Sequence, residues 1–226
     1  MNNTKRSINF VVAFMSVISI LTFIIPNINL EALGENMEII FPNVLFFLFV
    51  IVFSFVQFVF RNLITSKHYI KDKIFFSITL KPSRLYSRMI SYFVVITLFL
   101  WPVIASKKFS NVTLESMLNL LIWALVVEIL LYISYKYTKI YFMTDGILVR
   151  GLDFRIDIPL NDGISNHSGF YSYYDIQKYT VDNNSLKLIL YNSRGIIEGH
   201  INDERIKPVA AFLESKEIKY VNRDNL

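Results

Sequence analysis

Residues 117–151 read MLNLLIWALVVEILLYISYKYTKIYFMTDGILVRG, and this stretch contains the transition on which the fold depends. Its first part, Met117–Tyr135, is an apolar run close to the ~20 residues that a helix needs to cross a bilayer. The pattern then changes to short apolar segments around Thr144-Asp145-Gly146, which is typical of a β-hairpin. The stretch therefore joins a predicted membrane helix directly to a predicted β domain.

Three more apolar runs precede this one, at Ile8–Ile25, Ile39–Phe60 and Met89–Ala105. The chain is 54% hydrophobic and its mean hydropathy is +0.43, which is too apolar for a soluble domain of 226 residues. Helices satisfy their own backbone hydrogen bonds in lipid. We therefore expect residues 1–135 to form a transmembrane domain of four helices.

The first run ends at Pro26 without a small-residue cleavage site, so we expect an uncleaved helix rather than a signal peptide.

The net charge of +5 lies entirely in the first 135 residues, because residues 136–226 contain twelve basic and twelve acidic side chains. A neutral C-terminal part argues against nucleic-acid binding. The loop between the second and third runs is rich in Lys and Arg, whereas the first loop is acidic. By the positive-inside rule, both termini and this second loop are predicted to be cytoplasmic. The richness of the chain in Asn, Ile, Lys, Phe and Tyr is typical of AT-rich bacterial genomes, so we expect the membrane to be a bacterial plasma membrane.

The second loop also contains an apolar run, Ile74–Leu80, that is too short to span a bilayer. Two interpretations remain open: a connector that packs on the C-terminal domain, or an interfacial segment on anionic lipid. Only a few residues separate Tyr135 from the first predicted strand near Lys139, so the C-terminal domain must lie close to the membrane and this loop. We therefore predict that Phe75 or Phe76 contacts the domain or the lipid boundary.

Five polar residues fall in or near the predicted spans, and three of them, Asn9, Asn43 and Asn119, lie close to span ends. The other two are Glu128, a little past the middle of the fourth span, and Gln57, about one turn from the cytoplasmic end of the second. An intramembrane carboxylate is costly and should face other helices or water. Glu128 could be a proton or cation site, or it could make a structural hydrogen bond to a neighbouring helix. We favour the structural role, because a transporter normally needs more than one such group.

The last 91 residues, 136–226, are predicted to form a small β domain of about seven strands closed by a helix. Leu152–Leu160 alternates as a strand does, with Asp153 and Asp157 on the predicted solvent face. The final helix is expected to begin at Lys207, since Pro208 belongs in a first turn. Its predicted apolar face consists of Ile206, Val209, Ala210 and Leu213.

This order of strands and capping helix resembles a pleckstrin-homology-like (PH-like) sandwich or barrel. The resemblance is closest at Tyr173–Tyr179, where the chain is similar to the W-D-I-x-x-Y strand start of bacterial PH-like membrane proteins of the DUF5673 and YcxB kind. An Asn183-Asn184 turn, a Leu186-Lys187-Leu188 strand and the final helix follow in the same order. Tyr174 stands where Trp is usual. The resemblance implies a fold and no reaction.

Four tyrosines in this region offer a possible interaction surface, although core packing is the more common role of such residues; they are Tyr171, Tyr173, Tyr174 and Tyr179. The chain has no cysteine, and its three histidines lack metal-ligand spacing. No nucleotide-binding or hydrolase motif is present. We therefore expect neither cofactor, metal nor catalytic residues.

The sequence thus favours a non-enzymatic bacterial membrane protein, whose partners are the lipid bilayer and a membrane or cytoplasmic protein. It would bind that partner or support a membrane complex, for example in immunity to a membrane-active peptide or in its export. The alternative is a small transporter or channel component that uses Glu128 and Gln57.

Overall fold

The computed structural model describes residues 3–27, 37–81, 84–106, 113–158, 168–182 and 184–221. Four helical segments match the four apolar runs. They are α1 (Asn3–Asn27), α2 (Met37–Phe46) continuing through a π-helical turn, Phe47–Val52, into α3 (Phe53–Ser66), then α4 (Arg84–Ser106) and α5 (Leu114–Tyr137). Thr113 caps α5 by accepting a hydrogen bond from the Ser116 N–H.

Three of these segments are long and apolar enough to cross a membrane: Thr4–Ile24, Phe41–Ser66 and Leu114–Tyr137. A shorter apolar helical stretch, Arg88–Leu100, lies within α4. The chain is therefore compatible with a membrane protein.

Eight strands form one sheet, in the order β4-β3-β2-β1-β7-β6-β5-β8. They are β1 (Ile74–Leu80), β2 (Lys139–Met143), β3 (Gly146–Arg150), β4 (Gly169–Ser172), β5 (Ile176–Asp182), β6 (Ser185–Leu190), β7 (Ile196–His200) and β8 (Lys219–Tyr220). All neighbours are antiparallel except β5 and β8. The predicted hairpin at Asp145-Gly146 is confirmed as the β2–β3 turn.

The apolar run of the second loop is β1, a central strand rather than a simple connector or a lipid-bound segment. It pairs with β2 on one side, where Ile78 lies opposite Ile140, and with β7 on the other. The predicted contact with the C-terminal part is confirmed, because Phe76 stacks on Phe142 with ring centroids 4.5 Å apart. The sheet thus includes a strand that comes between α3 and α4 in the chain.

One face of the sheet is closed by α6 (Asp203–Ser215). Val209 and Leu213 are buried in the sheet's core, so the predicted apolar face is confirmed. The predicted start at Lys207 is wrong. The first turn forms before Pro208, with a bond from the Arg205 N–H to the Asn202 carbonyl, and the helix tolerates the proline in its interior.

The predicted strand Leu152–Leu160 is also wrong over its described part, residues 152–158. No strand pairing is assigned there, and Asp153 and Asp157 are buried instead of facing solvent. Ile156 packs in the helical core with Ala13 and Phe53. This segment therefore leaves the sheet after β3 and lies against the helices.

Candidate functional site

The segment 153–157 lies in a buried polar site that we call the ionic clamp, formed by Arg6, Gln57, Arg61, Asp153, Arg155 and Asp157. The backbone of segment 153–157 has no strand partner, so its N–H and C=O groups need other hydrogen-bond partners. Gln57 supplies two of them. Its Nε2 donates to the Asp157 carbonyl oxygen at 2.8 Å, and its Oε1 accepts from the Asp157 N–H at 2.9 Å. One side-chain amide from α3 thus replaces a neighbouring strand.

Two other helix side chains complete this role. The Arg61 guanidinium donates to the carbonyl oxygens of Asp153, at 2.6 Å, and Arg155, at 3.0 Å. The Ser134 hydroxyl of α5 accepts from the Phe154 N–H at 2.8 Å. The main chain of the segment is therefore attached to α3 and α5. This attachment depends little on which side chains the segment itself carries.

The charged side chains of the segment are paired within the clamp. The Arg6 guanidinium of α1 binds Asp157 at 2.7 Å, and the Arg155 guanidinium binds Asp153 at 2.6 Å. Asp153 also accepts hydrogen bonds from the N–H and hydroxyl of Ser168. Burial alone would lower the pKa of Arg155, but the charge and hydrogen bonds of Asp153 outweigh it and raise that pKa. The clamp thus contains two buried ion pairs, Arg6–Asp157 and Arg155–Asp153, while the Arg61 guanidinium binds main-chain carbonyl oxygens.

Gln57, predicted as an intramembrane polar site, belongs to the clamp, whereas Glu128 belongs to a different network. The Glu128 carboxylate accepts from the Arg88 guanidinium at 2.9 Å and from the Tyr92 hydroxyl at 2.8 Å, both on α4. Gln57 and Glu128 therefore have different hydrogen-bond partners. The partner of Glu128 is Arg88, which lies four residues into the preceding helix α4 and just before the predicted apolar run Met89–Ala105. A prediction confined to the apolar runs therefore misses this arginine.

The four predicted tyrosines do not form one surface. Tyr171, Tyr173 and Tyr179 are buried in the sheet's core, and only Tyr174 is exposed, at 93%. Burial raises the pKa values of Tyr171 and Tyr173 and, with Glu214 nearby, raises the pKa of Tyr179 to about 12. Tyr173 donates a hydrogen bond to the Met143 carbonyl oxygen at 2.6 Å.

The two edges of the sheet have different surroundings. The β4 edge lies against α3, and His68 just beyond that helix stacks on Phe170 with centroids 4.5 Å apart. The opposite edge, β8, is two residues long, and both of them are exposed. Beside it lies a shallow depression of about 280 Å³, lined by Ile176, Gln177, Lys178, Tyr191, Glu217, Lys219 and Val221. We call this feature the β8 edge.

Among the described residues, no group of three or more His, Asp or Glu side chains is placed to hold a metal ion. A scan against protein-family models finds no match to the chain, and a search of curated proteins finds none either.

Proposed function

We propose that the chain is a non-enzymatic bacterial plasma-membrane protein that binds an extended segment of a partner protein at the β8 edge. One observation carries the proposal: the sheet is attached to the helices at one edge and is exposed at the other. Exposed strand edges present unpaired N–H and C=O groups and are a common site for peptide addition.

The chemistry of the β8 edge supports an extended peptide. The β8 strand pairs with only the part of β5 around Lys178 and Tyr179. The neighbouring depression has apolar residues, Ile176 and Val221, beside the charged Lys178, Lys219 and Glu217. Main-chain hydrogen bonds would give affinity, and the mixed lining would select side chains of the partner.

In this proposal all four apolar helical segments cross the bilayer, and the sheet domain is PH-like and cytoplasmic. The support is the excess of basic residues at the N-terminus and between the second and third runs. Because the chain has no cysteine, single cysteines report orientation without background. Cysteines at Asn36 and Ser110, which lie outside the described residues, should react with an impermeant reagent on intact cells, and those at Lys71 and Asn184 should not. External labelling at Asn184 would refute this orientation.

The partner role is tested by photo-crosslinking in cells that naturally make the protein. A photoreactive amino acid at Gln177 or Lys219, both exposed on the β8 edge, is compared with one at Glu204 or Lys207, exposed on α6. We expect a discrete protein adduct from the edge positions and none from α6. Equal adducts at both places, or none at the edge under any growth condition, would refute the proposal.

The alternative function, a transporter component that uses Glu128, has weaker support. Arg88 and Tyr92 both engage its carboxylate, as in a structural ion pair. Proton or cation flux in vesicles that contain the purified protein would restore this alternative.

A further inference from the structure

The exposed face of α5 has the spacing of a helix–helix seam. Leu114, Leu118, Leu121, Leu125, Glu128 and Tyr132 follow one another at intervals of four and three residues, which is the a/d repeat of a left-handed helix pair. The four leucines and Tyr132 are exposed, with Leu121 at 64% and Leu125 at 62%. Only 11% of the apolar window of α5 is buried, against 33% for the span that ends at Ser66. The helix therefore has a regular face that nothing in the described chain covers.

The charged pair lies along one edge of this face. Glu128 is bound to Arg88 of α4, and both side chains remain partly exposed, at 34% and 45%. Glu128 is nine residues from Tyr137, or about 13 Å along the helix from its end nearest the sheet. If α5 spans the bilayer, as proposed above, this pair meets lipid at a depth where hydrocarbon solvates charge poorly. Leucines alone would need no cover there, but the ion pair does.

We propose that this face is the contact between two copies of the chain, related by a two-fold axis along the membrane normal. Each copy would present the same leucine seam and the same arginine–glutamate pair. A two-fold contact is self-complementary. It brings the Arg88 of one copy towards the Glu128 of the other, so opposite charges meet across the seam. A single polar position in an otherwise apolar seam also fixes the register of the two helices.

The ion pair distinguishes a second copy of the chain from lipid and from an unrelated helix as the occupant of this face. Acyl chains could cover the leucines but would leave the exposed parts of the Arg88–Glu128 ion pair in hydrocarbon, and a phosphate headgroup would attract Arg88 but repel Glu128. An unrelated membrane protein would need its own matching seam and charge pair, whereas a second copy supplies both. The inference therefore rests on α5 being a membrane span, and its test separates the two claims.

The test is disulfide crosslinking of the purified full chain in vesicles of zwitterionic lipid. Single cysteines replace Leu121 or Leu125 on the seam. The control is Met15→Cys, which is exposed on α1 and lies twelve residues from the start of its helix, as Leu125 lies twelve from the end of α5. A seated dimer holds the seam cysteines at high effective concentration, so we expect them to crosslink about tenfold faster than the control.

A second variant tests the charge pair. In Leu125→Cys protein, replacing Arg88 and Glu128 together by Leu makes this part of the seam apolar and removes the charges that fix the register of the two helices. We expect crosslinking to slow several-fold while circular dichroism shows the same helix content. The variant tests positioning by the pair, because the leucines of the seam remain.

Four outcomes would overturn a dimer formed on this seam. Equal crosslinking rates at the seam and at Met15 would mean random collision, and a faster rate at Met15 would place the contact on α1. Crosslinking that appears only in vesicles of anionic lipid would assign Arg88 to headgroups. Alkaline extraction of the same vesicles reports separately on the membrane span: protein that stays in the membrane but does not crosslink refutes the dimer alone.

Discussion

The sharpest test of the ionic clamp is Gln57→Met. Methionine has the same unbranched length as glutamine, so this variant removes the hydrogen bonds without opening a large cavity. The Asp157 N–H and carbonyl oxygen then lose the partners they have at 2.9 Å and 2.8 Å. A buried backbone group left without a partner costs about 1–3 kcal/mol, so the two groups together predict a loss of about 2–6 kcal/mol.

Urea unfolding of the detergent-solubilised protein, followed by circular dichroism, measures this loss as a shift of the midpoint at constant slope. The matched control is Asn62→Leu on the same helix, at a half-buried position. We expect the control to change stability by less than about 0.5 kcal/mol. Hydrogen exchange supplies a local readout, because the Asp157 amide should exchange much faster in Gln57→Met than in the natural chain.

A loss below about 1 kcal/mol, with the Asp157 amide still protected, would refute the reasoning, because one unsatisfied buried group alone should cost that much. It would mean that the segment 153–157 is held by its side-chain ion pairs and that its backbone bonds to Gln57 are incidental.

Three further predictions concern the clamp's charges, its junction with the sheet, and the sheet's core. Asp153→Asn should cost about 3–5 kcal/mol by leaving Arg155 buried with a neutral partner, and Asp153→Leu with Arg155→Met should recover part of this in the same unfolding assay. Gly151→Ala should cost about 1–3 kcal/mol, because a Cβ there meets the Tyr137 backbone, and an unchanged midpoint would contradict that contact. Burial favours the protonated form of the core tyrosines Tyr171, Tyr173 and Tyr179 and so raises their pKa values. Their contribution to the free energy of unfolding should therefore be fully present below pH 10, the ordinary tyrosine pKa, and should decline as the pH rises towards 12. Ultraviolet titration should show that these three tyrosines ionise at higher pH than free tyrosine. Three tyrosines that ionise near pH 10 without loss of the sheet would contradict their burial.

The sequence was sufficient for the helices and most strands, because their signals are local. Apolar runs of membrane length gave the four helical segments, and Asp145-Gly146 gave a hairpin. The role of Ile74–Leu80 could not be read in this way. Its partners, β2 and β7, lie about 60 and 120 residues further along the chain, and strand pairing at that distance leaves no local pattern.

The clamp was missed for a different reason. The alternation of Leu152–Leu160 predicted a strand with its charged side facing solvent, because charges usually face water. Over the described part both expectations are wrong, since the segment pairs with no strand and buries Asp153 and Asp157. The useful signal was the sequence of signs. Asp153, Arg155 and Asp157 alternate in charge along one side, and Arg6 and Arg61 lie near helix ends where they could meet that side. In this chain these complementary charges form a buried contact between the helices and the segment.

The position of β1 in the chain has a consequence for biosynthesis. The ribosome makes this strand before α4 and α5, but the strands that flank it follow only after both helices are made. Between those moments Phe75 and Phe76 have no sheet on which to pack. A fragment of residues 136–226 would never receive the strand, and the facing edges of β2 and β7 would stay unpaired. Such a fragment should aggregate when expressed alone and should be rescued by co-expression of residues 1–135, so the two halves of this chain are partners in assembly.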